Sequence, residues 1–225
     1  MTGFWVPLLL SLKVAGWATF FATILGVSIA YGLSRWRSPL CNFIDSVLTL
    51  PMVLPPTVIG YYLLVLIGRR GVIGEWLGQF GIKLVFTWQG AVVAATVVAF
   101  PMVLKAARAA FEDVDARLIN ASKILGVANA ATFFRVTLPL AMRGITAGIL
   151  LAFARALGEF GATLMVAGNL PGRTQTLSIA IYAAVQAGND QLALMLVSIT
   201  SITCVVVLWS ASYLAPAHTR RQGAR

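Results

Sequence analysis

Five long, mostly apolar runs constrain the fold of this chain more than any other feature of its sequence. They cover residues 7–33, 44–67, 90–104, 144–166 and 192–214, and a helix needs about 20 such residues to cross the hydrocarbon core of a bilayer. Of the 225 residues, 59% are hydrophobic and 11% are charged, whereas about half of a soluble globular protein is apolar. The sequence therefore predicts an all-α polytopic membrane protein with about five crossings, forming one transmembrane domain over residues 1–225.

Prolines and loop segments modify this picture in two places. Pro51, Pro55 and Pro56 interrupt the second run, which predicts a broken or kinked helix that is covered by other helices. The apolar segment 177–185 is too short to cross, so we expect it to be re-entrant or interfacial, and a sixth crossing stays open. Trp76 and Trp88 flank the loop after the second run and are predicted to be interfacial anchors.

The distribution of lysine and arginine predicts the orientation, because cytoplasmic loops carry an excess of both residues. With five crossings, one side carries eleven such residues: Arg35, Arg37, Lys105, Arg108, Arg117, Lys123, Arg135, Arg143, Arg220, Arg221 and Arg225. The other side carries five: Lys13, Arg69, Arg70, Lys83 and Arg173. We therefore predict an external N-terminus and a cytoplasmic C-terminus.

A polar, helix-forming segment at residues 120–139 separates the third and fourth runs. Ala121, Ile124, Leu125 and Ala128 recur at helical spacing and form a narrow apolar stripe. Gly126 interrupts this helix, because glycine can adopt a positive φ angle and permits close backbone approach. Two interpretations remain open: a compact knob that docks on a partner protein, or an amphipathic helix that lies on the lipid surface.

The spacing in this segment resembles the cytoplasmic coupling loop of ABC-importer permeases, E-A-A-x3-G-x9-I-x-L-P. The matching positions are Asn120, Ala121, Ser122, Gly126, Val136, Leu138 and Pro139. Three of them depart conservatively from the pattern: Asn120 replaces the usual Glu, Ser122 the second Ala, and Val136 the Ile. The resemblance implies that a coupling loop over about residues 112–139 docks on an ATPase subunit.

Two further segments resemble permeases of one importer family. Residues 50–74 (LPMVLPPTVIGYYLLVLIGRRGVIG) are similar to the second span of molybdate permeases, and residues 154–182, with the core GEFGAT, are similar to a stretch that molybdate and sulfate permeases share. The Arg69-Arg70 pair and the short chain favour the molybdate permease family. Sulfate, thiosulfate and tungstate permeases are the alternatives.

This resemblance implies a type I, MetI-like transmembrane domain in the bacterial inner membrane. It further implies a homodimer that binds two ATPase subunits inside and receives molybdate from a periplasmic binding protein outside. The chain has no G-x4-G-K-[ST] phosphate-binding loop, so we expect the partner subunit to hydrolyse ATP. We expect this chain to be a transport subunit without a cofactor, and not an enzyme.

Other classes of protein fit the sequence less well. A secondary transporter usually carries inverted repeats and several titratable residues at mid-membrane, and a structural membrane subunit needs no spaced coupling motif. The net charge of +10 does not indicate nucleic-acid binding, because no basic stripe interleaved with aromatic residues is present. No cluster of histidines and cysteines indicates a metal site.

Two sets of charged residues are candidates for the transport pathway and its outer face. Arg155 and Glu159 stand four residues apart in the fourth run, beside Gly158 and Gly161. They are predicted either to serve a gate in the translocation path or only to neutralise each other or pair with a neighbouring helix. Arg69, Arg70 and Arg173 are predicted on the external face, where they contact either the binding protein or lipid headgroups.

Overall fold

The computed structural model describes residues 4–36 and 38–214, and its regular structure in these ranges is helical throughout. Arg37, His218 and the predicted cytoplasmic Arg220, Arg221 and Arg225 lie outside the described residues. The helices, in chain order, are α1 (Trp5–Arg35), α2 (Pro39–Val53), α3 (Pro56–Ile67), α4 (Val72–Gln79), α5 (Trp88–Glu112), α6 (Ala116–Ile124), α7 (Asn129–Thr132), α8 (Leu138–Leu157), α9 (Gly161–Ala167), α10 (Leu177–Gln186) and α11 (Asp190–Leu214). A π-helical turn, Phe133–Thr137, joins α7 to α8.

Four helical segments of the described chain are long and apolar enough to cross a membrane: Trp5–Arg35, Trp88–Glu112, Asn129–Leu157 and Asp190–Val207. The pair α2 and α3 makes a fifth, bent by 112° at its break. The prediction of about five crossings with a proline-broken second span is thus confirmed. Pro51 lies inside α2, and the helix ends only before Pro55, because a residue that precedes proline is disfavoured in helical conformation. The short helix α10 has ten residues.

Two predicted span boundaries were wrong. The third span continues from 104 to Glu112, because the alanine-rich segment after Lys105 favours helix and its charges are paired. The fourth predicted span, 144–166, is not one helix. The helical segment that contains residues 144–157 begins earlier in the chain, at Asn129, and ends at Leu157. Glu159 therefore lies beyond the end of this helix, and the separate helix α9 begins at Gly161.

The centre of the molecule is a three-helix core of α1, α5 and α8 that small side chains bring close together. Its buried residues are mainly alanines: Ala15, Ala18, Ala22, Ala91, Ala95, Ala99, Ala152 and Ala156. A methyl group added at Gly144 of α8 would lie only 2.6 Å from Cβ of Ala110 of α5. Small residues of this kind let transmembrane helices pack tightly where no hydrophobic effect drives them together.

The two helix breaks lie side by side in the fold. Helix α3 packs against α9, and a methyl group added at Gly161 would lie 2.9 Å from Cβ of Pro56. The first residues after both breaks are therefore in contact. Broken helices at membrane depth are tolerated only where protein covers the freed backbone groups or where they line a cavity.

Lys13 and a cluster of aromatic residues mark the two ends of the core. At one end Lys13 lies over the ring of Trp88, 3.6 Å from its centre. The loop before α5 lines a cavity together with Arg69 and is joined to α9, because Phe86 donates its backbone N–H to Val166. At the other end Tyr31, Phe111 and Phe133 pack together. Between them α5 spans 25 residues, about 37 Å at 1.5 Å per residue.

Candidate functional site

The segment 113–137 forms a compact projection, here called the knob, between α5 and α8. Helix α6 starts where the Asp115 carboxylate accepts the backbone N–H of Arg117 at 2.8 Å, which satisfies a free donor of the first turn. It ends at Ile124, two residues before Gly126, whose φ of +73° places it in the left-handed region that glycine favours. Gly126 donates to the carbonyl of Lys123, and Val127 donates to that of Ser122, both at 3.0 Å, which is the Schellman arrangement.

A buried hydrogen bond fixes the two halves of the knob. The hydroxyls of Ser122 and Thr132 lie 3.0 Å apart, and both residues are buried. Ser122 also donates to the carbonyl of Ile119 at 2.8 Å. The hydroxyl of Ser122 thus explains the departure from the alanine of the coupling-loop signature, because it ties α6 to the helix that continues into the membrane.

The apolar stripe of the knob faces outward. Ile124 is 86% exposed and Leu125 is 80% exposed, and Ala121 and Ala128 are exposed beside them. Val136 lies in the π-turn, and Leu138 and Pro139 start α8. Two large, exposed apolar side chains on a rigid projection are suited to insertion into a hydrophobic cleft.

At the second helix break, residues 158–160, here called the charged break, Arg155 and Glu159 form an ion pair. Arg155 Nη1 donates to Glu159 Oε2 at 2.6 Å, and the backbone N–H of Ala162 donates to Oε1 at 2.9 Å. Glu159 is 2% exposed, so both of its oxygens need these partners. Of the two sequence interpretations, the structure contains the pairing, but Glu159 acts from the break and not from the helix face.

The ion pair faces a small cavity between the two breaks. The cavity has a volume of about 270 Å³ and is lined by Pro56, Thr57, Arg155, Gly158, Glu159, Phe160 and Gly161. The side chain of Arg155 is 30% exposed, and it uses one of its five N–H donors on Glu159. Gly158 ends α8 and Gly161 starts α9, so both predicted glycines lie at the edges of the break.

Arg69, Arg70 and Arg173 are exposed at the end of the core opposite the knob. Arg69 and Lys83 line a cavity of about 600 Å³ together with Glu75, between α3, α4 and the loop before α5. Arg173 lies in a turn in which Thr174 donates to Gly168 and accepts from Leu170. These basic residues lie at one end of the core, and neither the knob nor the cavity beside Arg155 and Glu159 includes any of them.

The sequence analysis missed an ion cluster between α2 and α5. Asp45 pairs with Lys105 and also with Arg108, whose Nη1 lies 3.1 Å from Asp45 Oδ1. Arg108 Nε also pairs with Glu112 Oε1 at 2.8 Å. Asp45 is the one acidic residue in α2, and Lys105 and Arg108 share a helix face at i and i+3. An isolated acid in an apolar helix was the sequence signal for this cluster, but it does not identify the partners.

Comparison with known proteins places these features in context. The family model described as "Binding-protein-dependent transport system inner membrane component" matches residues 22–220. The chain is 45% identical over 213 residues to the molybdenum transport system permease protein ModB of Escherichia coli K12, covering 92% of this chain and 93% of that protein. It is 32% identical over 204 residues to the sulfate transport system permease protein CysT of the same organism, covering 91% and 74%.

Solved structures have the same fold at low sequence identity. The chain superposes on an inward-facing conformation of the MetNI methionine ABC transporter with a TM-score of 0.73 and 17% identity, covering 95% of both chains. The described helices therefore have the transmembrane architecture of type I ABC importers.

Proposed function

This chain belongs to the binding-protein-dependent transport system inner membrane components, and within them to the ModB permeases, and from that premise we propose that it carries molybdate into the cytoplasm. It is an inner-membrane permease of the ABC-importer type. The observation that supports molybdate as the cargo is the identity of 45% to a molybdenum permease over 92% of the chain, against 32% to a sulfate permease.

The knob is the proposed docking element for an ATPase subunit. Its exposed Ile124 and Leu125 match the chemistry of an apolar cleft, and Asn120, Ala121, Ser122 and Gly126 occupy the coupling-loop positions. Two copies of this chain would present two knobs to two ATPase subunits. ATP hydrolysis is assigned to those subunits, and this chain transmits the resulting movement.

The charged break is the proposed gate of the translocation path. Arg155 keeps unused N–H donors toward the cavity beside Pro56 and Thr57, and a guanidinium is suited to a tetrahedral oxyanion. Because Glu159 partly neutralises the charge of Arg155, the remaining N–H donors of Arg155 would contact a passing anion without binding it tightly. Gly158 and Gly161 allow the helix ends to move at this point.

The end opposite the knob is the proposed external face. The excess of lysine and arginine on the knob side supports a cytoplasmic position for the knob, with the N-terminus outside and the C-terminus inside. Arg69, Arg70 and Arg173 then meet the periplasmic molybdate-binding protein, whose acidic rim residues they would complement.

Reconstitution tests the function directly. We expect proteoliposomes that contain this chain and its ATPase to accumulate labelled molybdate when ATP and the binding protein are both present, and not when either is omitted. Unlabelled tungstate should compete because its size and charge are close to those of molybdate, and sulfate should compete weakly. Uptake of labelled sulfate in place of molybdate would support the sulfate-permease alternative, and uptake driven by an ion gradient without ATP would refute the importer assignment.

A further inference from the structure

A polar cavity, here called the inner cavity, lies behind the knob where helix α6 approaches the ends of α1, α2 and α5. Its volume is about 710 Å³, and the polar residues that line it include Arg35, Asn42, Arg108, Glu112, Asn120 and Lys123. It is separate from the cavity at the charged break, which has none of these residues. The exposed stripe of Ile124 and Leu125 does not line it.

The inner cavity has more positive than negative groups. Arg35, Arg108 and Lys123 line it together with a single acidic residue, Glu112. Arg108 is already paired with Asp45 and Glu112, and Arg35 donates to the hydroxyl of Tyr31 at 2.8 Å. Within residues 4–36 and 38–214, the ammonium of Lys123 has no hydrogen-bond or ion-pair partner, which leaves a cation available.

Neutral donors and one buried hydroxyl complete the lining. The side-chain amides of Asn42 and Asn120 make no hydrogen bond in the described part of the chain. Thr137 also lines the cavity, but it is 2% exposed and its Oγ1 is buried. The accessible neutral donors are therefore the two asparagine amides.

Asn120 contributes to this excess of positive charge. A glutamate at this position, as in the coupling-loop signature, would place a carboxylate in the inner cavity. Asparagine has nearly the same shape but no charge, so the anion must come from elsewhere. From this combination we propose that the inner cavity binds a tetrahedral oxyanion group of the phosphate type, either a free anion or the headgroup of an anionic lipid.

The bound group would connect two parts of the molecule. Lys123 and Asn120 belong to α6, whereas Arg35 and Asn42 belong to α1 and α2. Several oxygens on one tetrahedral centre can accept from both sides at once, and hydrogen bonds to an ionised acceptor are among the strong ones. The anion therefore holds α6 against the transmembrane helices, and its binding does not depend on the identity of the transported cargo.

Hydrogen exchange on the permease purified with its ATPase tests this site. In nanodiscs of phosphatidylcholine, inorganic phosphate should slow amide exchange in residues 116–124, with sodium chloride at equal ionic strength as the control. Asn120→Glu supplies an internal carboxylate, and Lys123→Gln removes the available cation. Each should weaken the phosphate effect at least about tenfold, the loss expected for a hydrogen bond to a charged group. Arg117→Gln is the matched control, because Arg117 lies on α6 but not in the lining.

The source of the anion follows from a second set of nanodiscs. If protection of residues 116–124 appears only with phosphatidylglycerol, and Asn120→Glu abolishes the difference between the two lipids, the group is a lipid headgroup and the site is supported. Protection by free phosphate in phosphatidylcholine supports a soluble anion. The proposal is overturned if neither anion protects the segment, or if the wild type, Asn120→Glu, Lys123→Gln and Arg117→Gln respond equally.

Discussion

Replacement of Gly126 by valine should uncouple the permease from its ATPase while its membrane helices stay folded. A methyl group at Gly126 would meet no atom within 4 Å, so the cost arises from the backbone and not from a clash. A β-branched residue at φ +73° costs about 1–2 kcal/mol. If the turn relaxes instead, the two Schellman hydrogen bonds to Lys123 and Ser122 are lost, at about 1 kcal/mol each.

Either route disfavours the native turn by an amount similar to the 1.4 kcal/mol that changes an equilibrium about tenfold. The wild-type knob geometry should therefore become about tenfold less populated, and the valine would also change the surface between the two halves of the knob. Gly126→Asn should be milder, because asparagine tolerates the left-handed region better than other L residues. The assay is co-purification of the ATPase together with ATP-driven molybdate uptake into vesicles.

Gly81 provides a matched control for this experiment. It has the same φ of +73°, and a methyl group there would also meet no atom within 4 Å. It lies in the loop between α4 and α5, at the end of the core opposite the knob. Gly81→Val should therefore leave the bound ATPase at the wild-type level. If Gly126→Val also retains its ATPase and normal uptake, the assignment of the knob as the coupling element is wrong.

Three further sets of substitutions test the remaining sites. Arg155→Ala should abolish uptake and weaken assembly, because it leaves the buried Glu159 carboxylate unpaired. Adding Glu159→Gln to this variant should restore assembly but not uptake, and normal uptake by either variant would exclude a role in the translocation path. Replacing both Arg69 and Arg70 by glutamate should weaken stimulation of ATP hydrolysis by the binding protein, most strongly at low salt. Unchanged stimulation at low salt would contradict the proposed contact between these arginines and the binding protein. Ser122→Ala should lose one buried hydrogen bond, worth about 1 kcal/mol, which faster amide exchange in residues 129–132 would report and unchanged exchange would contradict.

Hydropathy and local motifs predicted much of the architecture because a bilayer limits the possible structures so strongly. The broken second span followed from Pro55 and Pro56, and the turn at Gly126 followed from its place between two short helical patterns. Both are local effects of backbone chemistry. The exposure of the apolar stripe at Ile124 and Leu125 also agrees with the knob interpretation.

The helix break at Glu159 could not be predicted in the same way. Residues 144–166 are apolar enough to be one span, and hydropathy does not detect a carboxylate that accepts the N–H of Ala162 and so starts a new helix. The ion cluster at Asp45 was missed for a related reason: its partners Lys105 and Arg108 are 60 and 63 residues away in sequence. The inner cavity likewise depends on how four helix ends meet, which no single segment specifies.

The uninterrupted helical path from Asn129 to Leu157 has a thermodynamic consequence. These 29 residues form a rod of about 43 Å, with the hydroxyl contact to α6 at one end and the Arg155 pair at the other. A tilt of this rod displaces both of its ends and thereby connects the two sites. Energetic linkage between two sites is reciprocal. If an oxyanion in the inner cavity alters the affinity of this permease for the ATPase subunit, binding of the ATPase subunit alters the affinity for that oxyanion by the same factor.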